Sequence, residues 1–122
     1  MTLTAQDLVA EAKQHIRELD FHAAREWLGK TRILDVREPA EYAAGHVPGA
    51  VNLPRGVLEF KIDAHPAFQG DKTAPILVYC QTGGRSALAT HSLLKLGYGG
   101  AVSLAGGFNA WLEQGGRTEK PA

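Results

Sequence analysis

Ile76-Leu77-Val78-Tyr79-Cys80-Gln81-Thr82-Gly83-Gly84-Arg85-Ser86 is the stretch that decides how this chain folds. Pro75 opens an apolar run from Ile76 to Tyr79, and such unbroken hydrophobicity marks a strand covered on both faces. The run stops at Cys80, and from Arg85 to Leu96 the pattern becomes helical until Gly97 ends it. A buried strand that passes through a short turn into a helix is half of a parallel, helix-covered sheet.

The same alternation extends outward in both directions. Thr31 to Val36 reads as a second buried strand, and Ala101 to Leu104 as a third. Val51-Asn52-Leu53 is a brief strand closed by Pro54. His15 to Leu19 fits either a short strand or the end of the helix before it. That first helix starts at the capping box Thr4-Ala5-Gln6-Asp7 and shows Leu8, Val9, Ala12 and Ile16 at helical spacing. Asp20 caps a helix through Phe21, Ala24, Trp27 and Leu28 that Gly29 terminates. Pro39 to Ala44 is a short helix stopped by Gly45; Val57 to Ile62 is another, and Phe108 to Gln114 the last. His65 to Lys72 reads as an irregular connection.

The pattern predicts an α/β fold: one domain with a mostly parallel central sheet of about five strands and helices on both faces. Residues 1–14 form an N-terminal helical extension, 15–115 the domain, and 116–122, polar and rich in Gly and Pro, a flexible tail. In such folds ligands bind beyond the carboxyl ends of the strands. Cys80 follows the most apolar strand and so falls at that edge.

Composition narrows the functional classes. A chain of 122 residues can bury a core without staples. Thirteen basic and thirteen acidic side chains cancel, so no global field draws in nucleic acid or an anionic membrane. No apolar stretch approaches the roughly 20 residues of a spanning helix. The five histidines are scattered and there is one cysteine, so no metal site and no cofactor is expected. One cysteine makes no internal disulfide. With Asp7 and Glu11 near the start and no signal-peptide pattern, a reducing cytoplasm is the expected location.

An isolated cysteine is more often a small buried hydrophobe than a reagent. What surrounds Cys80 favours the reagent. The thiolate is the nucleophile, and a free thiol, with a pKa of about 8.5, is mostly protonated at neutral pH. Amides of residues 81–85 are expected to converge on the sulfur as an anion-binding nest. The helix starting near Arg85 adds its positive end. Gly83 and Gly84 permit positive φ and close approach, and Arg85 offers a fixed charge to an oxyanion.

With these residues in view the chain resembles the rhodanese (sulfurtransferase) family over nearly all its length. The first shared signature is Leu34-Asp35-Val36-Arg37-Glu38-Pro39-Ala40-Glu41-Tyr42, continuing to Gly45-His46-Val47-Pro48-Gly49-Ala50-Val51-Asn52-Leu53. The second is the loop Cys80 to Ser86, and the third Leu104-Ala105-Gly106-Gly107-Phe108-Asn109-Ala110-Trp111. The resemblance implies a thiosulfate sulfurtransferase: Cys80 takes a sulfane sulfur from thiosulfate or a similar small donor and passes it to a thiol or cyanide. Gln81, Thr82, Gly83, Gly84, Arg85 and Ser86 are then the substrate-binding loop, and loop amides hold the persulfide. Related phosphatases of the cell-cycle type share the fold but have a loop one residue longer. Cys80 to Arg85 is six residues, the sulfurtransferase length, so phosphatase or arsenate reductase chemistry is a lesser alternative. A protein sulfur acceptor that docks on the N-terminal helix is a second hypothesis, and a non-catalytic interaction module a third.

Asp35 and Arg37 admit two readings, as secondary site residues at the mouth with Arg37 aiding anionic donors, or as an internal ion pair, with Glu41 as partner, that pins the next turn. The second is preferred. His46 reads as part of a structural turn, Trp27, Phe108 and Trp111 as core, and Gly106-Gly107 as a tight strand-to-helix turn. Gln81 and Thr82 are positioned to tune access to the sulfur.

Overall fold

The computed structural model describes residues 2–122. Five strands form one sheet: β1 (Glu18–Leu19), β2 (Arg32–Asp35), β3 (Val51–Asn52), β4 (Ile76–Tyr79) and β5 (Ala101–Leu104). Their order is β1-β5-β4-β2-β3, and every pairing is parallel. The ambiguous segment before Asp20 therefore contributes an edge strand, since Glu18 and Leu19 align with Ser103 and Leu104. Two residues are too few for a period to show in sequence. The central strands β4 and β5 are buried at every position.

Alternation along β4 divides the core. Ile76 and Val78 join Leu34, Leu93 and Tyr98 on one face, whereas Leu77 and Tyr79 join Phe21, Phe108 and Trp111 on the other. The first face is covered by α4 (Leu58–Lys61) and α5 (Gly84–Lys95). The second is covered by α2 (Phe21–Arg25) and α6 (Gly107–Glu113), with α3 (Pro39–Ala44) alongside. The connection His65 to Lys72 holds a 3-10 turn, Pro66–Phe68, which buries Phe68 in the first face.

The N-terminal helix α1 (Ala5–Lys13) has the expected capping box, with Thr4 and Asp7 exchanging hydrogen bonds. It packs outside the sheet layers, on α5, and buries Ala12. Its Val9 lies beside the start of α5: a Cβ built on Gly84 would meet Val9 Cγ2 at 3.6 Å.

Residues 116–119, expected from composition to fray, are fastened to the domain. Trp111 Nε1 donates to the Arg117 carbonyl at 2.7 Å, and His46 and Glu119 exchange backbone hydrogen bonds at 2.9 Å. Gly116 packs so close to Trp111 that a Cβ there would sit 2.3 Å from Nε1. His46 itself is buried, its ring stacked on Tyr42 with centroids 3.8 Å apart and Nε2 3.4 Å from Glu119. These contacts make it a residue of the turn, as read from sequence.

Candidate active site

β4 delivers Cys80 to the carboxyl edge of the sheet, and α5 begins four residues later. Between them the chain makes a tight loop around the sulfur. Gly83 N–H reaches Cys80 Sγ at 3.1 Å and Ser86 N–H at 3.3 Å. Gly83 has φ of +112°, a region that L side chains rarely adopt, and this conformation turns its amide inward. The expected nest over residues 81–85 is thus narrower than foreseen: one of its amides points at the sulfur, and the second comes from Ser86. The amides of Gly84 and Arg85 belong to the first turn of α5, where no intrahelical acceptor exists. Ser86 Oγ lies 3.5 Å from the sulfur. Cys80 is 1% exposed and sits on the floor of the loop.

The loop is gripped from outside by α6. Phe108 N–H donates to the Cys80 carbonyl at 2.8 Å, and Asn109 N–H to the Gln81 carbonyl at 3.0 Å. This close approach explains Gly107, where a Cβ would lie 2.6 Å from the Cys80 carbonyl oxygen. The Gly-Gly turn is therefore tight for a reason: it lets helix amides hold the carbonyls of Cys80 and Gln81.

Arg85 is paired with a carboxylate. Its guanidinium makes a two-pronged pair with Glu41 of α3, at 2.8 and 3.1 Å. Hydrogen bonding by Arg85 holds the Glu41 carboxyl at about 2, against an ordinary 4.5. The Arg85 charge is thereby committed to clamping α3 onto the loop. A depressed carboxylate contributes stability that is complete above its unfolded value and disappears as pH falls through the folded one. Wild type should therefore exceed Glu41→Gln in thermal stability near neutral pH. The difference should close as pH falls from about 4.5 toward about 2. Both side chains are about one-third exposed, so the gap should stay within about 1 kcal/mol. A gap that persists at the acid end in thermal melts would contradict this origin.

Asp35 and Arg37 form an internal ion pair at 2.7 Å, with Asp35 0% and Arg37 2% exposed. The preferred reading of the pair holds, but Glu41 is bound to Arg85 and takes no part in it. Asp35 also accepts the Arg37 amide and the Tyr79 hydroxyl. Burial raises the Tyr79 pKa, and the Asp35 charge raises it further, so its proton stays in place to donate. Burial alone would lower the Arg37 pKa, but bonding to Asp35 outweighs it and the net shift is upward. The guanidinium lies over the Phe108 ring at 4.4 Å and donates to Gly45 O and Gln81 Oε1. Gln81 in turn donates to Asn109 at 2.6 Å. Arg37, Glu41, Ala44, Gly45, Gln81 and Phe108 line a cavity of about 270 Å³ beside the loop. A larger concavity of about 450 Å³, between Phe21, Arg25, Trp111 and Arg117, is not lined by Cys80. Among the described residues no cluster of metal-ligating side chains occurs, and no helix is long and apolar enough to cross a membrane.

A model of the Rhodanese-like domain family matches residues 10–114. The chain belongs to the rhodanese family. The rhodanese match stops just short of the fastened tail and takes in the end of α1. Among curated relatives, human thiosulfate:glutathione sulfurtransferase is 39% identical over 95 residues, spanning 70% of this chain and 83% of that protein. A sulfurtransferase of Allochromatium vinosum is 32% identical over 103 residues, spanning 82% and 92%. Among solved rhodanese-fold structures, a Rhodopseudomonas palustris protein superposes with a TM-score of 0.87 at 32% identity, covering 98% of this chain and 96% of its own. That protein is described as of unknown function and a possible tyrosine phosphatase. The reaction class of this rhodanese is sulfur transfer, and the enzyme is a rhodanese-type transferase.

Ser103 and Gly107 are the site residues that sequence reading left aside. Gly107 was legible as a turn but not as a contact of the loop. Ser103 had one signal, a hydroxyl at a buried strand position.

Proposed function

We propose that this protein moves a sulfane sulfur from thiosulfate, or a donor like it, to a small thiol, carrying it as a persulfide on Cys80. The supporting observation is the Cys80 sulfur held by the Gly83 and Ser86 amides at the start of α5. In the first displacement the thiolate attacks the outer sulfur of thiosulfate, the donor's S–S bond breaks, and sulfite leaves with the electron pair. The charge of the new persulfide rests on its outer sulfur, where the unpartnered first-turn amides of α5 stabilise it. In the second displacement an acceptor thiolate attacks that outer sulfur, and Cys80 leaves as thiolate. Covalent catalysis of this kind divides one transfer into two easier ones. Cyanide can serve as acceptor by the same step.

The cavity beside the loop gives the acceptor room near Gln81, and Thr82 is exposed on the loop. Free-thiol chemistry needs a reducing compartment, and we take the protein to act in the cytoplasm. A phosphatase reading is disfavoured by the Arg85 geometry: the guanidinium that would hold a phosphoryl group is bound to Glu41.

Initial rates with thiosulfate and a small thiol, both varied, should give parallel double-reciprocal lines, because sulfite leaves before the acceptor binds. Intersecting lines, or hydrolysis of an aryl phosphate outpacing sulfur transfer, would overturn this assignment.

A further inference from the structure

Ser103 places a hydroxyl in the middle of the sheet. It sits in β5 between Val102 and Leu104 and is fully buried. A buried hydroxyl is expected to be hydrogen-bonded, because leaving it unpaired is costly. Its one side-chain partner is Ser86 Oγ, at 2.8 Å. Ser86 is also fully buried and lies in the first turn of α5. Its Oγ is 3.2 Å from the Gly83 carbonyl and 3.5 Å from Cys80 Sγ.

Counting protons fixes the direction of this chain. The Gly83 carbonyl only accepts. Among the described residues Ser103 Oγ has no hydrogen-bond partner, side chain or backbone, but Ser86 Oγ, so its proton goes there. The single proton of Ser86 is then free to point at the Gly83 carbonyl or at the sulfur. With a thiol, S–H donates to Ser86 and Ser86 donates to Gly83. With a thiolate, the Ser86 hydroxyl turns to the sulfur, and the Gly83 carbonyl keeps the Ala87 amide at 3.1 Å. In either state the two serine hydroxyls and the Gly83 carbonyl each keep a partner.

We infer that Ser86 and Ser103 form a hydroxyl relay that stabilises the Cys80 thiolate, with Ser86 touching the sulfur and Ser103 acting as a positioning residue. This rests on Cys80 being the sulfur carrier. Hydrogen bonding to the charged form of a group favours that form, and donation from Ser103 polarises the Ser86 hydroxyl, making it a stronger donor. The relay works at both ends of the cycle. It favours the attacking thiolate in the first displacement. In the second, the electron pair of the breaking S–S bond settles on Cys80 Sγ, and the Ser86 hydroxyl turns to receive it.

The test is the pH dependence of Cys80 alkylation by iodoacetamide. One cysteine makes the label report one site. Ser103→Ala should raise the midpoint by about half to one pH unit, and Ser86→Ala by about one unit. Below its midpoint, a one-unit rise cuts the reactive fraction about tenfold, with full recovery at high pH. Combining the two substitutions should add nothing beyond Ser86→Ala. Ser103→Thr, which keeps the hydroxyl, should stay close to wild type. An unmoved or lowered midpoint in Ser103→Ala, or shifts that add in the double variant, would overturn the relay and leave Ser103 as core filler. Alkylation needs no sulfur donor, so the two readings fail separately. A wild type that alkylates as described but takes no sulfur from thiosulfate overturns the sulfurtransferase assignment alone. One that takes sulfur while Ser103→Ala leaves the profile unmoved overturns the relay alone.

Discussion

Cys80→Ser should lower thiosulfate-dependent turnover by at least about a thousandfold, because it removes the group proposed to carry the sulfur. The substitution is close to isosteric, and the amides of Gly83 and Ser86 can donate to a serine oxygen as they do to sulfur. Thermal stability should therefore change little. A hydroxyl is far less acidic than a thiol and does not form the S–S bond that stores the intermediate. Coupled detection of sulfite release measures both the wild type and the variant. Residual turnover within about tenfold of wild type would mean that the sulfur travels without a covalent stop on this residue, since tenfold is only about 1.4 kcal/mol of barrier.

Asp35→Asn should have the largest effect on stability. The aspartate is fully buried and is the counter-charge of a guanidinium that is 2% exposed. Removing one partner of such a pair leaves a charge in the interior without compensation, which costs about 3–5 kcal/mol. The remaining acceptors of Arg37, Gly45 O and Gln81 Oε1, are neutral. Tyr79 and the Arg37 amide lose a charged acceptor as well. The melting temperature should fall on the order of 10 °C or more. Because Arg37 bonds to Gln81, the loop beside Cys80 should loosen, and sulfur transfer should weaken even below the melt. Calorimetry with an activity profile reads both. A melting temperature within about 2 °C of wild type would show that the pair is not the anchor described here.

What could be read from sequence was whatever the chain states locally. The strand Ile76 to Tyr79, the helix after it and the glycines between them each carry their signal within a few residues, and together they placed Cys80 at the carboxyl edge. The capping box of α1 and the proline that opens α3 were local in the same way. Partners far apart in sequence were not legible. Arg37 and Glu41 are one helical turn apart and invite pairing. The Asp35–Arg37 pair, two positions apart, was legible, but the fold hands Glu41 to Arg85, 44 positions away. The tail was read as loose from its glycines and proline, yet Glu119 meets His46 across the domain. Ser86 stood in the loop motif, but the meaning of its hydroxyl depends on Ser103, brought alongside by the pairing of β4 with β5. The narrower amide nest has the same origin: which N–H groups face the sulfur is set by φ at Gly83 and by where α5 starts.

The central claim is that Cys80 carries sulfur. Its most direct test is the intact mass of the protein after incubation with thiosulfate and removal of excess donor. The structure predicts a gain of one sulfur atom per chain, released on adding a small thiol and absent in Cys80→Ser. An unchanged mass in the folded wild type, with thiosulfate and other sulfane-sulfur donors alike, would contradict it.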